Sequence, residues 1–268
     1  MNVSAPKNLK WSQFRHYREL MGTLVERNLK GRYRGSSLGI FWSLLNPMIM
    51  AGIYTAVLGN AFAEHFDNSI INYILAAFTG LAIFHFFSAA TSQALNSVVS
   101  NGGLLNKIYL PVSVFPSAAI AANIFQFSVA TLPLFAIVTI WRSQSIVNVF
   151  ALIFPVIALI LVSSGVGYFL SATFVFFRDT PHLYQVTIYA LRIATPVFYP
   201  VEIVPERLRP FIVLNPLSQV IESVRQITLS GDPPDLNLIL GTVLSSLVVA
   251  ILGWIWFGRL RPHFMDLL

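Results

Sequence analysis

The chain has 268 residues, 56% hydrophobic and only 10% charged, with a formal net charge of +6 and no cysteine. Soluble domains carry about 25% charged residues, so composition argues against a water-soluble globule; the missing cysteine removes disulfides and cysteine–metal sites. No Lys, Arg, Asp or Glu occurs over 35–63, 68–106, 108–141, 143–177 or 236–258. A helix needs roughly 20 apolar residues to cross a bilayer, and a soluble core has no use for five such runs.

The first element is an amphipathic helix over Trp11 to Leu29. Trp11, Phe14, Tyr17, Met21, Leu24, Val25 and Leu29 recur at helical spacing, while Arg15, Arg18, Glu19, Glu26 and Arg27 mostly take other faces. The segment is too polar to span. It suits the membrane interface, with packing on a partner's surface as the alternative. The apolar run that follows starts near Leu38, too late and too long for a cleaved signal peptide, so it is expected to persist.

Six spans are expected, over 38–62, 70–97, 113–140, 147–177, 182–199 and 236–258. The fourth is long; it either extends past the bilayer or breaks near Gly165 and Gly167. The fifth is short and contains Arg192. The stretch from Thr195 to Asp235 carries Pro196, Pro200, Pro205, Pro210 and Pro216 among scattered charges. Proline breaks helices and fixes turns, so short gate helices joined by sharp turns are expected there, outside the membrane or re-entering it. The whole chain reads as one membrane domain, an arm over 1–35 and a bundle over 36–268.

Six spans put both termini on one side. That side holds twelve basic residues against four acidic ones, and the opposite side four against seven. The positive-inside rule makes the first side cytoplasmic. The basic balance is thus a topology signal and not a nucleic-acid patch.

The sequence lacks several chemistries. There is no G-x-x-x-x-G-K-[ST] phosphate loop, no H-E-x-x-H and no acidic relay within a span. His85 sits among Phe84, Phe86 and Phe87 and reads as a helix-packing residue. An external ATPase becomes the simplest energy source. A membrane-embedded glycan-lipid enzyme would need clustered Asp, His or Arg at a membrane face, and the cytoplasmic loops beyond the arm offer only Lys107, Arg178, Asp179 and His182. A purely structural scaffold subunit is a third reading.

Four segments carry a resemblance. Glu26 to Trp42 (ERNLKGRYRGSSLGIFW) is followed by Leu45-Asn46-Pro47. Asn101 to Pro111 (NGGLLNKIYLP) is followed by Phe115-Pro116. Phe177-Arg178-Asp179 closes the fourth span. Thr195 to Pro200 (TPVFYP) is followed by Pro205, Asn215-Pro216 and Arg225. In this order and spacing they resemble the polysaccharide-type ABC-2 permeases, which export O-antigen, capsular polysaccharide or teichoic acid; that family often has Asp where this chain has Asn28. The resemblance implies an all-α inner-membrane protein acting as a homodimeric pore. Two copies of a separate nucleotide-binding subunit would hold ATP and Mg, with no cofactor in this chain. The cargo would be a lipid-linked glycan, first of all O-antigen, moving to the periplasm; teichoic acid, a drug or another lipid are the alternatives.

Site residues follow as expectations. Asn101, Leu104, Leu105, Lys107, Ile108 and Tyr109, in a short cytoplasmic loop, are expected to contact the ATPase. Phe84, Phe87, Tyr168, Phe198 and Tyr199 are expected to line or gate the translocation path, because aromatic rings stack on the C–H faces of sugars without holding them tightly. Pro196 and Pro200 bracket Phe198 and Tyr199 at the outer end. Arg192 is expected to face the protein interior, since a lipid-facing charge costs about 2.5–3.5 kcal/mol on insertion scales. There it either pairs with an acidic group or helix carbonyls, or meets substrate phosphates.

Overall fold

The structure is a computed structural model that describes residues 8–105 and 110–267, without the side chains of 8–16 and 265–266. Every regular element among the described residues is helical. α1 (Asn8–Tyr33) packs against α5 (Val114–Ala130). Tyr17, Leu20, Met21, Leu24 and Val25 form its apolar stripe, spaced at i, i+3, i+4, i+7 and i+8, and turn onto the bundle. Arg18, Glu19, Glu26 and Arg27 stay exposed. The side chains of Trp11, Phe14 and Arg15 lie outside the described ones.

α2 (Trp42–Phe62) and α3 (Ile70–Ser97) pair as an antiparallel hairpin. Ser69 starts α3, its extended backbone placing the hydroxyl to accept from the Asn72 N–H. Past a short turn helix, α4 (Gly102–Leu105), the chain re-enters the bundle as α5 and α6 (Leu132–Ser143). These two meet at a 40° bend. Pro133 accounts for it, because its ring removes the N–H that would bond one turn back. α7 (Ile146–Ala151) runs on into α8 (Ile153–Phe176). α9 (Thr180–Ala194) follows, then the short α10 (Arg209–Leu214) and α11 (Pro216–Arg225), the latter extended by a π-turn over Gln226–Ser230. α12 (Leu236–Leu260) closes the bundle, capped by the Asp235 carboxylate on the N–H groups of Asn237 and Leu238.

Among the described residues four helical segments are long and apolar enough to cross a membrane: Gly39–His65, Ile70–Ser97, Ile146–Phe176 and Leu236–Phe264. The bent pair α5–α6 makes a fifth. The expected fifth span, 182–199, differs. α9 has 15 residues, about 22 Å of helix, and stops at Ala194 because Pro196 forces Thr195 into an extended conformation. Of the two alternatives for the fourth span, the break near Gly165 and Gly167 does not occur, since α8 is continuous there. The two glycines instead admit neighbours. A Cβ on Gly165 would lie 2.3 Å from the Val249 carbonyl oxygen, and one on Gly167 would lie 2.9 Å from the Ala94 Cβ.

α3 is the central helix, 72% of its most apolar window buried, whereas the windows of the first and last spans are only 17% and 22% buried. α2 and α12 therefore present apolar faces outward. One end of the bundle gathers α1, α4, the start of α5, the ends of α8 and α12, and Phe264 into one apolar cluster. There Arg178 donates to the Leu267 carbonyl at 3.2 Å. At the far end Arg142 donates to Asn72 at 2.7 Å, and Asn148 to the Asp232 carbonyl at 2.9 Å. The N- and C-terminal helices thus share an end, as expected, and the proline-rich segment lies at the other.

The α8–α12 crossing rests on backbone approach between small residues. A Cβ on Gly253 would sit 2.0 Å from the Gly165 carbonyl oxygen, whereas one on Gly241 meets nothing within 4 Å. Gly253→Ala is expected to lower stability in thermal unfolding of the detergent-solubilised protein by about 2 kcal/mol or more. Gly241→Ala, in the same helix, should be neutral or stabilising by up to about 1 kcal/mol.

Candidate functional site

The proline-rich segment is folded around one cation. Arg225, at the end of α11, is 6% exposed. Its Nε donates to the Ala76 carbonyl of α3 at 3.1 Å, and its Nη2 to the Val197 carbonyl at 2.8 Å. Gly80 makes this possible. A Cβ there would lie 1.9 Å from the Val197 oxygen and 2.9 Å from Arg225 Nη2, so only glycine lets strand-like backbone lie this close to α3. Among the described residues the one ion pair is Lys30–Glu26, on the surface of α1. The buried guanidinium is therefore held by carbonyl dipoles rather than by a carboxylate. Charge-assisted bonds of this kind are about twice as strong as neutral ones.

The segment after α9 is pinned at two further points. Asn215 donates to the Thr195 hydroxyl at 3.0 Å, and its side-chain oxygen caps α11 by accepting from the Leu217 N–H at 3.0 Å. Tyr73 of α3 donates to the Phe198 carbonyl at 3.0 Å. These contacts present the two aromatic residues bracketed by proline. Phe198 stacks on Tyr54 of α2, ring centroids 4.4 Å apart and planes 10° from parallel. Tyr199 meets Phe198 edge-on at 5.5 Å and donates its hydroxyl to the Ile193 carbonyl at 2.7 Å. Both rings are half-buried. A cavity of about 520 Å³ lies between the flanking prolines and the π-turn, lined in part by Pro196, Pro200, Glu202, Gln219, Glu222 and Arg225.

A second polar surface lies between α2, α3 and α9. Asn46, Phe84, His85, Gln185, Tyr189 and Arg192 are among the walls of a cavity of about 190 Å³. Arg192 lines this cavity. Its Nε is buried with no hydrogen-bond partner, and no acidic residue lines the cavity.

The other expected path residues are not gathered here. Phe87 is 3% exposed and packs in the main core, where its ring meets Phe84 at 6.3 Å. Tyr168 is 7% exposed, hydrogen-bonded to Ser117 and packed edge-on against Trp254 and Phe257. Protein encloses both rings, so in this conformation they are packing residues; Phe84, 6% exposed, still edges the α2–α3–α9 cavity.

The loop after α3 is partly as expected. Lys107, Ile108 and Tyr109 lie outside the described residues. Asn101 accepts from Arg27 of α1 at 2.8 Å and donates to the Ser97 carbonyl at 2.7 Å. Leu104 is half-buried, and Leu105, 3% exposed, is sunk in the cluster beneath α1. In this conformation Leu105 anchors the loop against α1.

In the sequence Arg225 reads as one charge of its side and as part of the resembling outer segment, and Gly80, Tyr54 and Tyr73 carry no mark. The signal for Arg225 is slight: Val224 adjoins it and Ile221 lies one turn before it, and a cation among apolar residues needs buried acceptors.

The class this bundle defines is that of polytopic helical membrane proteins. Within it, residues 19–229 match the family of ABC-2 type transporters, and the chain belongs to that family. It is 29% identical over 258 residues to an O-antigen export system permease protein of Myxococcus xanthus, covering 93% of this chain and 95% of that one. A permease of the same name from Klebsiella pneumoniae is 26% identical over 254 residues, with the same coverage. A polysialic acid transport protein of Escherichia coli is 22% identical over 211 residues, covering 78% of this chain and 80% of that one.

Arg225→Leu leaves the Val197 carbonyl without its donor, at about 1–3 kcal/mol for a buried acceptor left unsatisfied, while the Ala76 carbonyl keeps its place in the helical ladder of α3. It is expected to destabilise the purified protein and to expose 196–200 to protease. Gly80→Ala should do the same, by pushing Val197 away, with the Arg225 side chain intact. Wild-type melting and protease resistance in both variants would contradict the assigned lock.

Proposed function

We propose that this chain is the pore-forming subunit of an ATP-driven exporter that moves a lipid-linked polysaccharide, O-antigen, from cytoplasm to periplasm across the bacterial inner membrane. The observation that carries the reading is similarity along nearly the whole chain to O-antigen export permeases. A capsular polysaccharide is the second reading, favoured by the likeness to the polysialic acid transport protein.

Two copies form the pore, and their contact uses the apolar faces that α2 and α9 turn outward. Ile49, Ile53, Val57, Val186, Tyr189 and Ile193 are all exposed on them. α9 and the extended residues 195–199 complete a sixth crossing. Two copies of a nucleotide-binding subunit supply ATP hydrolysis and dock on the loop carrying Asn101 to Pro111, which Arg27 ties to α1. Coupling follows mechanically: a displacement of that loop passes to α1 and to α3, whose other end carries Ala76 and Gly80. Arg192 meets the substrate on the α2–α3–α9 wall, and the Tyr54–Phe198–Tyr199 stack closes the outer mouth.

Deletion of the chain is expected to trap finished lipid-linked glycan inside the cell and to remove O-antigen from the surface. Loss of capsule with O-antigen intact would select the second reading. Complementation with Phe198→Ala plus Tyr199→Ala should restore assembly while altering export or leaving the resting membrane leaky to small solutes.

The basic end holds α1 and the C-terminal helix, and it is cytoplasmic by the positive-inside rule. With no native cysteine in the chain, single replacements report topology directly. Glu19→Cys should react with a membrane-impermeant maleimide only after the cells are opened, and Glu206→Cys in intact spheroplasts. The reverse pattern would invert the topology.

A further inference from the structure

A third cavity, of about 550 Å³, opens where α1 crosses α3 and α5 at the end of the bundle shared by the termini. Its walls are polar in an otherwise apolar bundle. Arg27, Asn28 and Arg32 contribute from α1, and Ser92, Gln93 and Asn96 from α3, while Phe115, Ala118 and Ala119 give α5 a smooth wall. Among the described residues no carboxylate lines it. Its two guanidiniums are held only by neutral amide oxygens. Arg27 donates to Asn101 at 2.8 Å at the exposed rim. Deeper in, Arg32 donates to Asn123 at 3.3 Å from both terminal nitrogens, and to Gln126. Asn123 and Gln126 are 3% and 5% exposed, and Asn123 is itself fixed by donating to Gln93 at 3.0 Å. The deeper guanidinium is thus oriented by a buried amide network, and its charge is not neutralised by that network.

Two unneutralised guanidiniums in a cleft without carboxylates select an anion. Arginine's fork geometry suits phosphate oxygens. The volume exceeds what one phosphate needs, and Asn28, Ser92, Gln93 and Asn96 offer the mixed donors and acceptors that sugar hydroxyls use. α1 lies along this end with its apolar stripe turned to the bundle, and on the export reading, which makes this end the cytoplasmic one, the cleft opens near the level of the lipid headgroups. We infer that the α1–α3–α5 cleft binds the diphosphate and the first sugar of a lipid-linked glycan as the substrate is loaded, with Arg27 at the rim and Arg32 at the base. The assignment rests on the export reading for the identity of the lipid; the anion selectivity rests on the cleft alone.

The test is direct binding to the full chain, assembled with its partner subunit, in nanodiscs of neutral lipid. The probe is a long-chain prenyl diphosphate, competed by phosphatidylglycerol or by soluble inorganic diphosphate. Wild type should bind the prenyl diphosphate, resist displacement by phosphatidylglycerol, and release it only to much higher inorganic diphosphate. Arg27→Gln should weaken binding about tenfold, the scale of a lost charge-assisted hydrogen bond. Ser92→Trp fills the cleft from an exposed position without touching either guanidinium, and should also abolish binding at unchanged melting temperature. Unchanged affinity in both variants would overturn the site. Equal competition by phosphatidylglycerol would make it a general anionic-lipid contact, and binding of inorganic diphosphate alone a soluble-anion site; either overturns the assignment. Because binding is read without transport, a failed export reading shows itself separately, as absence of trapped glycan in the deletion strain.

Discussion

A single buried cation organises the far end of this bundle. The Arg225 guanidinium lies between a carbonyl of α3 and a carbonyl of the extended segment after α9. Removing a guanidinium from water is costly unless its donors are satisfied. Here satisfaction requires that Val197 lie against α3, which in turn requires glycine at position 80. The short α9, the turn at Thr195 and the helix cap at Asn215 all serve that placement. The stack of Phe198 on Tyr54 then follows from backbone position rather than from aromatic attraction, which adds only about 0.5–1.5 kcal/mol for such a pair.

The same bundle separates its polar groups from its lipid-facing ones in an orderly way. α3 is enclosed, and polar side chains along it divide between two cavities: Ser92, Gln93 and Asn96 under α1, and His85 and Ser88 beside α9. His85 also borders a small void with Asn123 and Gln126, so one layer of polar side chains links the base of the α1 cleft to the wall that carries Arg192. A polar cargo entering beside α1 would thus find hydrogen-bonding groups from there to the inner wall, while the exposed apolar faces of α2 and α12 remain for lipid or a second copy.

Much of this was legible in the sequence. Four spans and the bent third follow from charge-free runs of sufficient length, because hydropathy is a local property read by the bilayer as solvent. The stripe on α1 from Tyr17 to Val25 follows from period alone. Pro196 and Pro200 marked the Phe198–Tyr199 segment correctly as the place where helix gives way to turns. Tertiary facts were not legible. Composition cannot distinguish Phe87 in the core from a ring on a path, since both are apolar residues on helices. Gly165 and Gly167 read as helix breakers from propensity, yet they are points of close helix approach. The burial of Leu105 beneath α1 is likewise a tertiary fact that loop position does not announce. Arg225 and Arg32 were counted as topology charges, and only the folded chain shows which carbonyls and amides receive them.

The most direct measurement is transport itself. Inverted membrane vesicles containing this chain and its ATPase partner, loaded on the outside with radiolabelled lipid-linked O-antigen, report whether glycan becomes protected inside the vesicle. ATP-dependent protection that vanishes when this chain is omitted is the predicted result. Protection that proceeds equally without this chain, or a chain that supports movement of unlinked small solutes but never of lipid-linked glycan, would contradict it.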